Sequence, residues 1–472
     1  MPPSLQNTNS LDDRLASGCG EPAPEAWTSA IEGLLARVRQ WSFEGVPGLW
    51  RAQVAVAGAG DIPRWLEANP LAPRCYWRDR DGTREIAGLG HAWQASAQSA
   101  SAYPELLARA QEQARQAGGE LLCAFSFDGA PGSGAWDGFP AGLALLPAIE
   151  LRATPSGTAL VANLHADSAV EHMRRKTRLL ELLGTLRPAA DPCMDDSALR
   201  VLSRTDEVGQ ASFRERIRAT LEEIGSGRIY KAVLARPVRL RLDRRLPAFT
   251  TLARWARLTG DSYTFAIEHA GRIFMGCSPE RLFRRQGQRV ETEALAGTVR
   301  RGESETEEAA LEASLLEDPK LIREHAWVTR YIRDELAPWT RELEAPEAPS
   351  ILKLGRIQHR RLPLQGTLLP GAGESELLAA LHPTPAVCGF PRREAQRLIQ
   401  HQEGAQRGWY SGVIGALSDD GAELAVAIRS VLVHGDEVSC YSGVGIVEGS
   451  DPEAEWQELE AKIEPFLHAL EA

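Results

Sequence analysis

Apolar residues recur at two different spacings along this chain, and the changes between them mark its elements. Ala26–Trp41 and Ala102–Ala117 read as helices, the second rich in Ala, Glu, Gln and Arg, which lose little on entering a helix. Between them and after them stand short β-rich runs, Ala52–Ala57 and Leu121–Phe127. Pro188–Asp206 is polar and loses β character, which predicts a linker before a long helix at Gln210–Ile224. Tyr263–Ile267 then alternates, turns at Ala270-Gly271 and continues through Ile273–Met275 and from Val290 onward, the pattern of an antiparallel meander. A second hairpin is predicted from Leu424–Val433, a turn at His434–Glu437, and Val438–Val447. Helical text fills Glu305–Leu336, Glu374–Leu381 and the C-terminal end.

Hairpins interspersed with long helices predict an α+β layered fold rather than a doubly wound parallel sheet. Residues 1–25 are polar and without apolar periodicity, so they are expected to be a disordered lead-in. Ordered structure is expected in a variable part at 26–200 and a motif-dense region at 205–472.

Composition narrows the function. The chain has 472 residues and a net charge of -11, with 53 Lys and Arg against 64 Asp and Glu. That balance disfavours a nucleic-acid partner, whose phosphates call for clustered cations. No apolar run approaches the roughly 18 residues that span a bilayer, so no membrane partner and a soluble, cytoplasmic protein are expected. The seven cysteines are far apart and never in C-x-x-C spacing, which fits reduced structural thiols rather than a disulfide framework or a zinc site.

Six segments could carry chemistry. Ser450–Glu453 is a helix start with a hydroxyl cap and a first-turn proline, and it is followed by Glu455, Glu458 and Lys462 on one side of the apolar stripe. On spacing alone that side is a solvated face with a Glu458–Lys462 pair. Glu324 lies in mid-helix beside apolar positions; with a carboxylate from the last helix it would make a hard-oxygen site suited to Mg²⁺. Lys231 opens an apolar run, where burial is costly unless the ammonium escapes to water or has work to do. Glu280, Gly297-Thr298 and Gly443–Gly445 each follow a strand, where backbone N–H groups could receive a carboxylate. Gly58–Gly60 makes a poor nucleotide fingerprint, because Pro63 stands where the third glycine should be.

In collinear order over about Gln210–Leu467, these segments resemble the chorismate-utilising enzymes. The matching text is Gly227–Arg236 (GRIYKAVLAR), Cys277–Leu282 (CSPERL), Thr292–Thr298 (TEALAGT) and Lys320–His325 (KLIREH), then Gln358-His359 and Leu381–Val387 (LHPTPAV). It continues through Ala427–Arg429 (AIR), Gly443–Val447 (GVGIV) and Glu455–Glu458 (EWQE). The resemblance implies a sandwich of large antiparallel sheets flanked by helices, like anthranilate synthase component I. Aminating members usually carry Gln where Lys231 stands, and one group of them has a nucleophilic Lys where Ala296 stands. Lys231 with Ala296 and the His382 text matches isochorismate synthases and the similar salicylate synthases, which use water as nucleophile, so no glutaminase subunit is expected.

The same resemblance implies the roles. Lys231 would be the base that activates water and Glu280 the acid that protonates the leaving hydroxyl. Mg²⁺ would be held by Glu324 and Glu458, with Glu455 acting through a water. Arg429 and Lys462, with backbone from Gly297, Thr298 and Gly443, would clamp the two carboxylates of chorismate, and His359 and His382 would line the ring. Two departures stand out: Leu321 replaces a frequent Asp one turn before Glu324, and Arg360-Arg361-Leu362 replaces Leu-x-Thr after His359. Isochorismate feeds menaquinone or siderophore biosynthesis; the Gly449–Trp456 text leans toward menaquinone. Pyruvate elimination, as in salicylate synthases, stays open at this level, as do an aminating activity and a non-catalytic binding role.

Overall fold

The computed structural model describes residues 24–57, 60–189, 198–353, 355 and 357–471. Its frame is two antiparallel sheets, one of twelve strands and one of ten. The larger runs from Gly48–Val56 through Gly157–Ala166, Ile149–Thr154, Glu85–Leu89 and Arg74–Arg78 to Tyr263–His269, then through Arg272–Ser278, Ser430–His434 and Glu437–Val447 to Lys231–Leu242. The smaller runs from Thr340–Glu344 through Ile357–Leu368, Arg289–Arg300, Arg281–Gln286, Gly421–Val426 and Val413–Leu417 to Leu121–Phe125, Gly142–Leu146 and Trp93–Ala97.

Strand alternation assigns each residue to a layer. Along Arg74–Arg78, Cys75 and Trp77 enter the core between the sheets with Phe265, Phe274, Trp136 and Tyr441. Tyr76 instead joins the outer core, where Leu34, Leu183, Phe249 and Phe466 come from four covering helices. The smaller sheet packs its own outer face against Tyr103–Ala117, Pro319–Leu336 and Glu374–Leu381. The result is four layers: helices, sheet, sheet, helices.

Both halves of the chain build both sheets. Arg74–Arg78 pairs with Tyr263–His269 in one sheet, and Leu121–Phe125 pairs with Val413–Leu417 in the other. The two helices expected in the N-terminal part are present as Pro24–Arg39 and Tyr103–Ala117. Residues 1–23 of the expected lead-in and residues 190–197 of the expected linker lie outside the described residues. Pro24 and Glu25 already belong to the first helix.

Three expectations need correction. Val201–Asp206 is a strand and not linker; it pairs antiparallel with Val238–Leu242. Its side chains are exposed or half-exposed, so backbone bonding forms it without the buried alternation that betrays a strand in sequence. The predicted helix Glu305–Leu336 divides at Asp318, whose carboxylate accepts from the N–H groups of Lys320 and Leu321 while Pro319 starts a new helix. The predicted strand Leu424–Val433 is broken at Ala427–Arg429, where the chain crosses from the smaller sheet to the larger.

The described cysteines, Cys75, Cys123, Cys277, Cys388 and Cys440, are free and buried, as expected of structural thiols. No described helix is long and apolar enough to cross a membrane.

Candidate active site

The two strand crossings lie side by side and open one cleft. Ser278 ends a strand of the larger sheet and Arg281 begins one of the smaller, leaving Glu280 between them. The parallel break in the neighbouring segment leaves Arg429 at φ 49, a left-handed conformation that a non-glycine residue adopts only where its surroundings hold it. A cleft of about 680 Å³ opens there, walled by Glu280, Gly297, Thr298, Glu324, His359, Arg429, Gly443, Glu458 and Lys462 among others.

Lys231 sits behind this wall at 0% exposure, the first residue of the strand Lys231–Leu242, paired with Val447 on one side and Phe390 on the other. Its Nζ reaches Glu324 Oε1 at 3.0 Å. Gly445 makes that contact possible: a Cβ there would lie 2.5 Å from Glu324 Oε1 and 3.0 Å from Lys231 Cε. Gly443 is needed likewise, since its Cβ would come 2.7 Å from the Tyr410 hydroxyl.

Electrostatics separate the carboxyl groups. Burial, reinforced by the charge of Glu293, pushes Glu280 up to about 8, against the pull of Lys231 and Lys462. Burial would raise Glu324 too, but the Lys231 ammonium outweighs it and holds that carboxyl below the ordinary range. Burial and then the neighbouring Glu458 raise Glu455.

The three carboxylates expected at a metal all come from helices; Glu324 and Glu458 line the cleft, Glu455 is buried outside its lining, and each is held by a lysine: Glu324 by Lys231, Glu455 by Lys320 and Glu458 by Lys462. Among the described residues no three His, Cys, Asp or Glu side chains converge tightly enough to hold a metal ion. The structure brings Glu324 and Glu458, the two expected direct ligands, into one cleft wall, each paired with its own lysine. The donor set nevertheless fits Mg²⁺: it is all hard oxygen, Glu455 and Glu458 repel each other without an intervening cation, and the glycine at 445 keeps the space beside Glu324 clear.

The remaining expected residues divide. His359 accepts from or donates to the Thr298 hydroxyl through Nδ1 at 2.9 Å, while its buried Nε2 has no hydrogen-bond partner among the described residues. Burial, then Arg429 and Lys462, press its pKa well below the ordinary value, so the ring is neutral. Gly297 has φ 80 at the bulge that separates Ala296 from Thr298 in the register against Ile357–Leu368. Lys462 Nζ donates to the Gly443 carbonyl at 2.8 Å. Burial lowers Arg429 to about 10. His382 stands apart from the wall: its Nε2 contacts the Ser411 carbonyl at 3.0 Å, its ring meets Phe127 edge-on, and burial lowers it to about 4.

Sequence reasoning missed Tyr410, Ser411 and Tyr441, which line the same cleft. Aromatic and small polar residues carry no pattern that separates a cleft wall from a core. The departure at Arg360–Leu362 falls within the strand Ile357–Leu368 rather than in a loop, and Arg361 Nε reaches Glu293 at 2.6 Å.

Two large antiparallel sheets that cross over around a buried acid, a buried lysine and a set of cations and carboxylates define an α+β enzyme for a small anionic substrate. The chain belongs to the chorismate-binding enzymes, whose family model matches residues 53–471. It is 32% identical over 415 residues to the isochorismate synthase MenF of Bacillus subtilis, covering 84% of this chain and 88% of that one. The solved MenF of Escherichia coli, described as the menaquinone-specific isochorismate synthase, superposes with a TM-score of 0.83 at 29% identity, over 95% of this chain and 100% of that one. Anthranilate synthase component I from Streptococcus pneumoniae shares the fold, with a TM-score of 0.67 at 19% identity over 82% of this chain and 92% of that one.

Proposed function

We propose that this enzyme is an isochorismate synthase, converting chorismate to isochorismate by adding water at C2 of the ring as the hydroxyl leaves C4. The observation that carries the reading is a carboxyl raised to about 8, Glu280, in the wall of the cleft, with a fully buried lysine, Lys231, directly behind that wall against Glu324. A water adding to C2 must lose a proton, and Lys231 is the acceptor once it has given up the proton with which it pairs to Glu324 at 3.0 Å. The departing C4 hydroxyl must gain one, and a carboxyl that keeps its proton at neutral pH supplies it. The C2–O bond forms, the C4–O bond breaks and the ring double bonds shift between them, so the sum is an isomerisation.

Chorismate carries two carboxylates. Arg429 and Lys462 supply cationic charge on the cleft wall, and the backbone at Gly297, Thr298 and Gly443 supplies polar groups beside them. The neutral His359 turns an unpaired Nε2 into this region, where it can bond a substrate hydroxyl. His382 acts at one remove, by fixing the Ser411 carbonyl. Mg²⁺ would be held by Glu324 and Glu458 with Glu455 behind them; when bound it supplies concentrated positive charge for a substrate carboxylate. A role in menaquinone biosynthesis, a cytoplasmic location and action without a glutaminase subunit complete the proposal, supported by the likeness to the MenF enzymes and by Lys231.

Incubation of the purified protein with chorismate and Mg²⁺, followed by separation of products, is expected to give isochorismate. Salicylate with pyruvate as main products, or an amino product that depends on ammonia, would overturn the reading. Lys231→Ala is expected to abolish turnover.

A further inference from the structure

We infer that Arg80 and Glu293 are positioning residues that set the direction and the proton affinity of the Glu280 carboxyl; this rests on the reading of Glu280 as proton donor. Arg80 comes from the N-terminal half, just beyond the strand Arg74–Arg78, far in sequence from the cleft. Its Nη1 donates to the Pro279 carbonyl at 3.0 Å and to Glu293 Oε1 at 2.5 Å, while Nη2 reaches Glu293 Oε2 at 3.2 Å. Glu293 Oε1 in turn accepts from the backbone N–H of Arg281 at 3.1 Å. One buried ion pair thus grips the residue before Glu280 and the residue after it.

The main chain of Glu280 itself is fixed from other elements. Its N–H donates to Ser278 Oγ at 3.2 Å and its carbonyl accepts from the Val426 N–H at 3.0 Å. Arg80 and Glu293 are 6% and 2% exposed, and a fully buried ion pair adds little net stability over apolar packing of the same volume. Here it converts a sheet crossing, which has no ladder of its own, into a defined geometry.

The pair also bears on charge. Glu280 faces Glu293 from the neighbouring strand, Lys231 from the start of the strand Lys231–Leu242, Lys462 from the last helix and the Thr384 hydroxyl. Burial would raise Glu293, but Arg80, Arg361 and Arg281 together keep it ionised. Its fixed negative charge therefore favours the protonated form of Glu280. Arg361, one of the residues at which this chain departs from its relatives, completes the clamp.

Glu293→Gln separates the two effects, because the amide keeps the shape and an acceptor for Arg281 N–H but removes the charge. The alkaline limb of the kcat profile is expected to move about one pH unit lower, with KM within about twofold. Arg80→Met cuts the tether to Pro279 and is expected to lower kcat by about 10- to 100-fold, the scale of a misplaced catalytic group, again with little change in KM. Arg80→Lys, which can still donate to the Pro279 carbonyl, is expected to recover part of that loss; should Arg80→Met not fold in a thermal melt, the lysine variant and Glu293→Gln decide. Glu280→Gln is the control: wild-type turnover in that variant overturns the proton-donor reading and this inference with it. If Glu280→Gln is inactive while Glu293→Gln keeps the wild-type pH profile and the folded Arg80 variants keep wild-type kcat, the positioning role alone is overturned.

Discussion

Gly445 shows how narrow the tolerances of the cleft are. With a Cβ at this position 2.5 Å from Glu324 Oε1, Gly445→Ala must displace either the carboxylate or the Lys231 stem. Turnover is expected to fall by about 100-fold or more, with an unchanged circular dichroism spectrum as the check that the fold persists. Glu280 makes a second prediction at this scale. A proton donor must be protonated, and its carboxyl is raised to about 8; activity is therefore expected to hold below that pH and to decline as pH rises through it. A steady-state pH profile measures this, and an ordinary carboxyl would instead have lost its proton near 4.5. The proposed proton donor was legible as a residue, because CSPERL is distinctive text. Its protonation was not, because that depends on burial and on Glu293, thirteen positions away and on another strand.

At the scale of elements, periodicity found the strands and helices that bury one side and overlooked those that do not. Glu374–Leu381 and Gln210–Gly225 appear where their patterns place them. Val201–Asp206 was overlooked because its side chains face solvent. The crossing at Ala427–Arg429 was read through as continuous strand, since apolar text runs on both sides of it and only the partner sheet changes. Asp318 links this scale to the site: its side chain starts the helix that delivers Glu324. Asp318→Ala is expected to cost about 1 kcal/mol, seen as a thermal midpoint lower by about 1–2 °C, with reduced activity from a loosened first turn.

For the whole molecule, the continuous sheets decide what can be separated. The motif-dense region 205–472 contains the lysine, the acid and the three glutamates, yet its strands Tyr263–His269 and Val413–Leu417 pair with strands of the other half. Expressed alone, that region would expose two sheet edges and the apolar layer between them. It is expected to be insoluble or to lack a cooperative thermal transition, whereas 24–472 folds; solubility and melting curves distinguish the outcomes. The further inference points the same way, since Arg80 reaches the cleft from the N-terminal half.

By itself the sequence determined the layered α+β class, the family and the charged residues of the cleft wall, because those depend on alternation and on short collinear motifs written in adjacent positions. It also named the carboxylates suited to a metal. Only the tertiary structure decided that Glu324 is paired with Lys231 and Glu455 with Lys320, that burial and Glu293 raise Glu280, and that Arg80 and Glu293 grip its two neighbours. Those properties are sums of burial and charge over residues far apart in the chain, and no local pattern carries them.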